Sequence, residues 1–239
     1  VFVWDLPTRI FHWGLLVLIV VAWITGEEEG QAAAIHRYAG EAIAGLIVFR
    51  VIWGFLGGER ARFSDFIAGP TKVIAQISDL FSSKPEKHLG HNPLGSFSVF
   101  LLLLTVSGIV VTGLFSSSDG ITGPFAGIWG QNLSEIHELL FTVLQALVVI
   151  HILGVLVESF KTKDRLVPAM ITGWKKRRAN ERGEDAKRAK LLAFLFAALV
   201  SIGVSFWLMS QPMPSTLATD HDRSDEHREY EAQEHDDET

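Results

Sequence analysis

Five runs of about twenty predominantly apolar residues dominate this 239-residue chain, at 10–26, 34–57, 95–115, 133–157 and 191–210. A helix rising about 1.5 Å per residue crosses the roughly 30 Å hydrocarbon core of a bilayer with a run of that length. Lipid offers no partner for backbone N–H and C=O groups, so such runs become helices, which satisfy those groups internally. The expected fold is all-α, an integral membrane helical bundle. The first run does not read as a cleaved signal peptide. Those have short apolar cores that end in small residues, whereas Trp23-Ile24-Thr25-Gly26-Glu27 follows here.

Basic residues orient the bundle. With the N-terminus cytoplasmic, the inside segments carry Arg9, five Lys/Arg between 58 and 92, and eleven between 158 and 190, among them Lys175-Lys176-Arg177-Arg178. The outside segments carry only Arg37, Arg223 and Arg228, and the loop 116–132 carries none. Seventeen against three is a strong positive-inside bias. It predicts a multi-pass protein of the bacterial inner membrane with its C-terminal tail external. Part of the basic stretch also suits anionic membrane lipid, and no nucleic-acid partner is expected. The net charge of −6 conceals the tail 211–239, where ten acidic and two basic residues give −8. Short of aliphatics, the tail is expected to be disordered. Its His221, His227 and His235 read as solvated. Residues 71–82 have a rough helical period and read as a short interfacial helix.

Four histidines stand inside these runs or at their ends: His12, His36, His137 and His151. An ionisable side chain at membrane depth is costly and marks function. His137 and His151 are fourteen residues apart, about four helical turns, so both lie on nearly one face roughly 21 Å apart. The alternating topology places His36 level with His137 near the external surface, and His12 level with His151 toward the cytoplasm. Two pairs at two depths suit two haem groups stacked across a membrane, and hence an electron-carrying cytochrome b. A zinc site fits poorly, because one metal cannot reach both His137 and His151. His88 and His91 belong to the loop before Pro93 and read as interfacial hydrogen-bonders. The sequence has no Cys, which excludes thiolate ligands and covalent attachment through Cys-x-x-Cys-His.

Several ordered motifs also carry a family resemblance. Trp4-Asp5-Leu6-Pro7-Thr8-Arg9-Ile10-Phe11-His12-Trp13 resembles the opening of bacterial di-haem cytochromes b, which include the b-type subunits of nickel–iron hydrogenases. Ile35-His36-Arg37-Tyr38-Ala39-Gly40 and Gly90-His91-Asn92-Pro93-Leu94-Gly95 resemble later motifs of that family, and Ile136-His137-Glu138 and Ile150-His151 its fourth-helix ligands. The resemblance covers about residues 1–178. It implies a four-helix core, two haems b with bis-histidine ligation (His12/His151 and His36/His137), and electron exchange with quinone and a redox partner, a hydrogenase or a c-type cytochrome. The chain would then be the electron-transfer subunit of a quinone-linked oxidoreductase. Axial imidazoles on both faces leave iron no open position, which favours electron transfer over oxygen chemistry. Arg9, Arg37 and Arg50 are candidates for the haem propionates, Arg50 being the cation that topology explains least. Gly14, Gly40, Gly45, Gly108, Gly113 and Gly154 could admit a macrocycle or simply close helix packing. Gly14 and Gly40, two and four residues from His12 and His36, are the favoured cofactor-side positions.

The expected domains are a four-helix cytochrome b unit at 1–178, a basic linker and fifth helix at 179–210, and the acidic tail at 211–239. The fifth helix and the tail lie outside the minimal family pattern. Two other readings compete: direct oxidation or reduction of a small substrate such as superoxide or a ferric chelate at the outer haem, and a haem-free transporter with histidines as proton relay.

Overall fold

The computed structural model describes residues 1–66, 69, 71–75, 93–118, 121–128, 133–175, 185–187 and 189–212. Among these are five helices long and apolar enough to cross a membrane. They are α1 (Leu6–Thr25), α2 (Gln31–Leu56), α4 (Pro93–Leu114), α5 (Ser134–Thr162) and α7 (Leu191–Met209). The short helices α3 (Phe63–Phe66) and α6 (Leu166–Thr172) lie between them. The chain is an all-α multi-pass membrane protein, and the spans agree with the sequence expectation to within a few residues at most ends.

Local chemistry accounts for the boundaries. Asp5 caps α1, its Oδ1 accepting from the Thr8 backbone N–H at 2.9 Å, with Pro7 in the first turn, where no N–H is needed. Pro93 opens α4 for the same reason. Gly173 closes α6 at φ +85°, a left-handed position suited to glycine;. Residues 71–75 are helical, and the rest of the expected interfacial helix lies outside the described residues, as do His88, His91 and the tail from 213. The loop read as 116–132 contains a small antiparallel pairing, Ser117–Ser118 (β1) with Ile121–Thr122 (β2). Two-residue strands have no periodicity to announce them.

The spans form two antiparallel hairpins, α1 with α2 and α4 with α5, and α7 packs along α2. Gly45 makes that last contact close: Ser201 Oγ donates to Gly45 O at 2.6 Å and Ser205 Oγ to Glu41 O at 3.3 Å. A Cβ on Gly45 would collide with Ser205. Small residues and serines of this kind hold membrane helices together where the hydrophobic effect cannot. The fifth helix is thus integrated into the bundle. An apolar groove of about 730 Å³ between α1, α2 and α7 is lined by Trp13, Gly14, Leu46, Ile202 and Phe206.

Ile43 and Ile47 of α2, Val106 of α4 and Leu144 of α5 form one buried cluster between the hairpins. Leu144 is seven residues from both His137 and His151, so this apolar layer lies midway between the two histidine levels. A second cluster, Phe11, Phe49, Trp53, Ala61 and Ala197, fills the end where the chain starts. That end is woven from distant segments. The Val1 amino group donates to Lys175 O at 2.8 Å, Arg60 Nη1 donates to Phe2 O at 3.1 Å, and Phe2 bridges Trp174. The start of the chain, residues 57–62 and residues 173–175 thus share one end of the bundle, as an alternating five-span path requires. Residues 27–30, the β1–β2 strands and Gln211 lie at the other.

Candidate functional site

The pair that the sequence expectation places outside, His36 and His137, called the outer pair below, is assembled by the starts of α2 and α5. His36 and His137 are both half-buried, and their ring centroids lie 6.2 Å apart at 66°. Two metal–imidazole bonds of about 2.0–2.1 Å plus the radius of each ring span about that distance. Each ring is also fixed from behind. His36 Nδ1 lies 2.8 Å from Ala22 O and His137 Nδ1 lies 2.9 Å from Ile109 O. A carbonyl can only accept, so Nδ1 carries the proton in both rings. Nε2 is left as the coordinating nitrogen, the arrangement typical of metal-bound histidine. Beside His36, Gly40 lies one turn on along the same face, and outside its own helix no described residue comes within 4 Å of where a Cβ would stand;. The space next to the ring is open.

The inner pair is looser. His12 and His151, also half-buried, are near enough to interact electrostatically. His151 Nδ1 lies 3.4 Å from Ser98 Oγ on α4. His12 Nδ1 is buried with no hydrogen-bond partner among the described residues.

The remaining candidates divide. Arg50 is buried at 3% exposure, its guanidinium 4.9 Å from the centre of the Phe63 ring, with Asp5 as its acidic neighbour;. Asp5 Oδ2 also accepts from Trp53 Nε1 at 3.1 Å, which ties Arg50 to the inner end of the bundle. Arg9 Nη1 donates to Ile171 O at 2.6 Å, linking α1 to the end of α6. Arg37 is one residue, or about 100°, round the helix from His36. It forms a buried ion pair with Glu41 at 2.8 Å, while its Nη2 donates to Gln211 O at 2.9 Å. Gly14 is two residues from His12, so it lies on nearly the opposite side of α1, where it lines the groove beside α7. Of the two favoured glycines, the structure therefore brings only Gly40 to a histidine face. Gly45 and Gly108 serve close packing, against Ser205 and Leu140, and Gly113 abuts the His137 ring.

The sequence reading missed Glu41 and the two carbonyls behind the outer histidines. Glu41 had an available signal, because it stands four residues after Arg37 on one helix face. Backbone carbonyls have none.

Each histidine pair offers two imidazoles, and among the described residues no three His, Cys, Asp or Glu side chains converge as a metal site. A metal held by such a pair must arrive with its other ligands, as haem iron does. A helical membrane bundle with facing histidines on its spanning helices is the architecture of a membrane cytochrome. The chain belongs to the prokaryotic cytochrome b561 family, whose family model matches residues 3–173. It is similar to the probable Ni/Fe-hydrogenase B-type cytochrome subunit of Rhizobium leguminosarum bv. viciae, 27% identical over 209 residues that cover 72% of this chain and 87% of the relative. The subunit of the same name from Azotobacter vinelandii is 26% identical over 213 residues, 73% of this chain and 88% of the relative. The probable Ni/Fe-hydrogenase 1 B-type cytochrome subunit of Escherichia coli K12 is 26% identical over 211 residues, 73% of this chain and 90% of the relative. No solved structure matches the chain. The protein is a membrane b-type cytochrome that works in electron transfer with haem b.

Proposed function

We propose that this chain holds two haems b, one between His36 and His137 and one between His12 and His151. It conducts electrons across the bacterial inner membrane between an external redox partner and the quinone pool. The observation that carries this reading is the outer pair: two imidazoles 6.2 Å apart, each with Nδ1 committed to a helix carbonyl. The second pair at the other end of α1 and α5 extends it to two centres. Haem supplies a one-electron iron couple when bound. The residues do the rest. The four histidines would hold the two haems, two to each, and the apolar layer of Ile43, Ile47, Val106 and Leu144 would keep water and ions from the space between the two levels. The positive-inside distribution supports a cytoplasmic start and an external His36/His137 pair.

The names of the relatives favour a hydrogenase as the external partner, with a soluble c-type cytochrome as the other candidate. We place quinone exchange at the inner end, near His12, His151 and the buried Arg50. A pyridine haemochrome assay on the purified protein tests the core of the reading. Two haems b per chain are expected, and one or none overturns the two-centre arrangement.

A further inference from the structure

The two histidines of the outer pair are seated by the same five-residue device used twice. Ala22-Trp23-Ile24-Thr25-Gly26 ends α1, and Ile109-Val110-Val111-Thr112-Gly113 ends α4. In each, the first residue's carbonyl accepts from the Nδ1–H of the histidine that opens the next spanning helix: Ala22 O from His36, Ile109 O from His137. In each, the threonine hydroxyl sits over that carbonyl and the one before it. Thr25 Oγ1 lies 2.7 Å from Val21 O and 3.4 Å from Ala22 O. Thr112 Oγ1 lies 2.8 Å from Gly108 O and 3.1 Å from Ile109 O. In each, the glycine leaves the room the ring needs. A Cβ on Gly26 would stand 3.2 Å from His36 Nδ1 and 3.3 Å from Cε1, and one on Gly113 3.1 and 3.0 Å from the same atoms of His137. Thr112 Oγ1 also lies 3.3 Å from His137 Nδ1, as a second acceptor.

We infer that Thr-Gly at 25–26 and 112–113 are positioning residues that set the electron-donating strength of the outer histidines, and so hold the outer centre at a lower reduction potential than the inner one. The argument rests on the proposed haem at His36/His137. A ring whose Nδ1–H is given to a carbonyl is a more basic ligand through Nε2. A more basic ligand stabilises the more positive iron(III) state. Both carbonyls also belong to helix C-terminal segments, where the backbone dipole is negative and favours the same state. The inner pair has no such seat: His151 Nδ1 has a hydroxyl at 3.4 Å, and buried His12 Nδ1 has no partner among the described residues. Electrons entering at the outer centre therefore run downhill to the inner one.

Potentiometric titration of the purified haem-loaded protein, followed in the visible spectrum, tests this. The wild type should titrate in two steps, and His12→Ala, which retains only the outer centre, should keep the lower one. In that background Gly26→Ala and Gly113→Ala push the ring off its carbonyl. Each should raise the potential, by up to the 59 mV that corresponds to a tenfold shift in a one-electron equilibrium. Thr112→Val should shift it in the same direction by less, and Thr112→Ser should restore it. If the alanine variants fail to load haem, the comparison of Val with Ser at 112 decides. Unmoved potentials in variants that keep their haem overturn the seat, as does a wild type whose lower step is lost with His137→Ala but unaffected by these changes. A wild type with fewer than two haems overturns the functional reading itself.

Discussion

The outer and inner histidine pairs each take one histidine from α5 and the other from α2 or α1, yet they are held in different ways. At the outer level both rings lean on helix carbonyls from neighbouring spans, at 2.8 and 2.9 Å. The inner level has a long hydroxyl contact for one ring and, among the described residues, no partner for the buried Nδ1 of the other. The scaffold behind them differs in the opposite sense. The inner end is braced by the start of the chain threaded between residues 57–62 and 173–175, and by the Phe11, Phe49 and Trp53 cluster. The outer end relies on hydrogen bonds to the rings and on α7. Precision has been placed in the ligand surroundings at one end and in the packing at the other.

The largest effect that separates the two levels is loss of one haem at a time. His137→Ala should remove the outer haem and leave most of the inner one, because the pairs share helix α5 but no ligand. His12→Ala should do the converse. Haem per chain by pyridine haemochrome checks both. If either variant loses both haems while remaining folded by circular dichroism, the two levels are not independent and the comparison fails. The same His12→Ala protein sharpens the quinone assignment. With the inner haem gone, reduction of a soluble quinone analogue by the outer haem should fall to near background, and full retention would move the quinone site outward.

A smaller effect is expected from the Arg37–Glu41 pair, which ties the outer end of α2 to the end of α7. The side chains are 7% and 2% exposed. Removing one partner of such a pair strands a buried charge, at a cost of about 3–5 kcal/mol, whereas replacing both with apolar residues is often neutral. Glu41→Ala or Arg37→Ala should therefore lower the thermal midpoint in detergent markedly, and Arg37→Leu with Glu41→Leu should recover most of it. The outer haem should be perturbed more than the inner, read as a shift in its potential. Equal perturbation of both would show that α7 braces the whole bundle and not its outer half.

These contrasts also show what a sequence can disclose. The five spans were legible because each must bury or face lipid with an unbroken apolar run, and residues such as Asp5, Pro7 and Pro93 mark where helices begin. The depth pairing of His36 with His137 followed from alternating topology alone, and the structure brings those rings together. Side-chain azimuth was less legible. Nearness in sequence to His12 does not put Gly14 on its face, because a two-residue step turns the helix about 200°, and the glycine faces the groove by α7. The partner of Arg37, Glu41, is a matter of azimuth in the same way. The carbonyls behind the outer rings carry no residue signature, and the Thr-Gly at 25–26 and 112–113 does not single them out, because the same dipeptide stands at 122–123 and 172–173. Elements of a few residues, such as α3, α6 and the β1–β2 turn, are too short for any period to show.

The smallest expected effect concerns the acidic tail, most of which lies outside the described residues. In the proposed orientation α7 leads to the external side, and the segment of net charge −8 begins there, where Gln211 O accepts from Arg37. That places its root beside the outer pair. Opposite charge accelerates encounter more than it deepens affinity. A tail of this sign should therefore steer a basic external partner toward His36/His137 and leave the inner haem indifferent. Deleting residues 215–239 should slow the second-order electron exchange with a basic soluble cytochrome several-fold at low salt. The difference should fade as ionic strength approaches 0.15 M, where the screening length is about 8 Å. Haem content and both potentials should stay unchanged. An unaltered rate at low ionic strength would leave the outer haem's approach governed by the ordered surface alone.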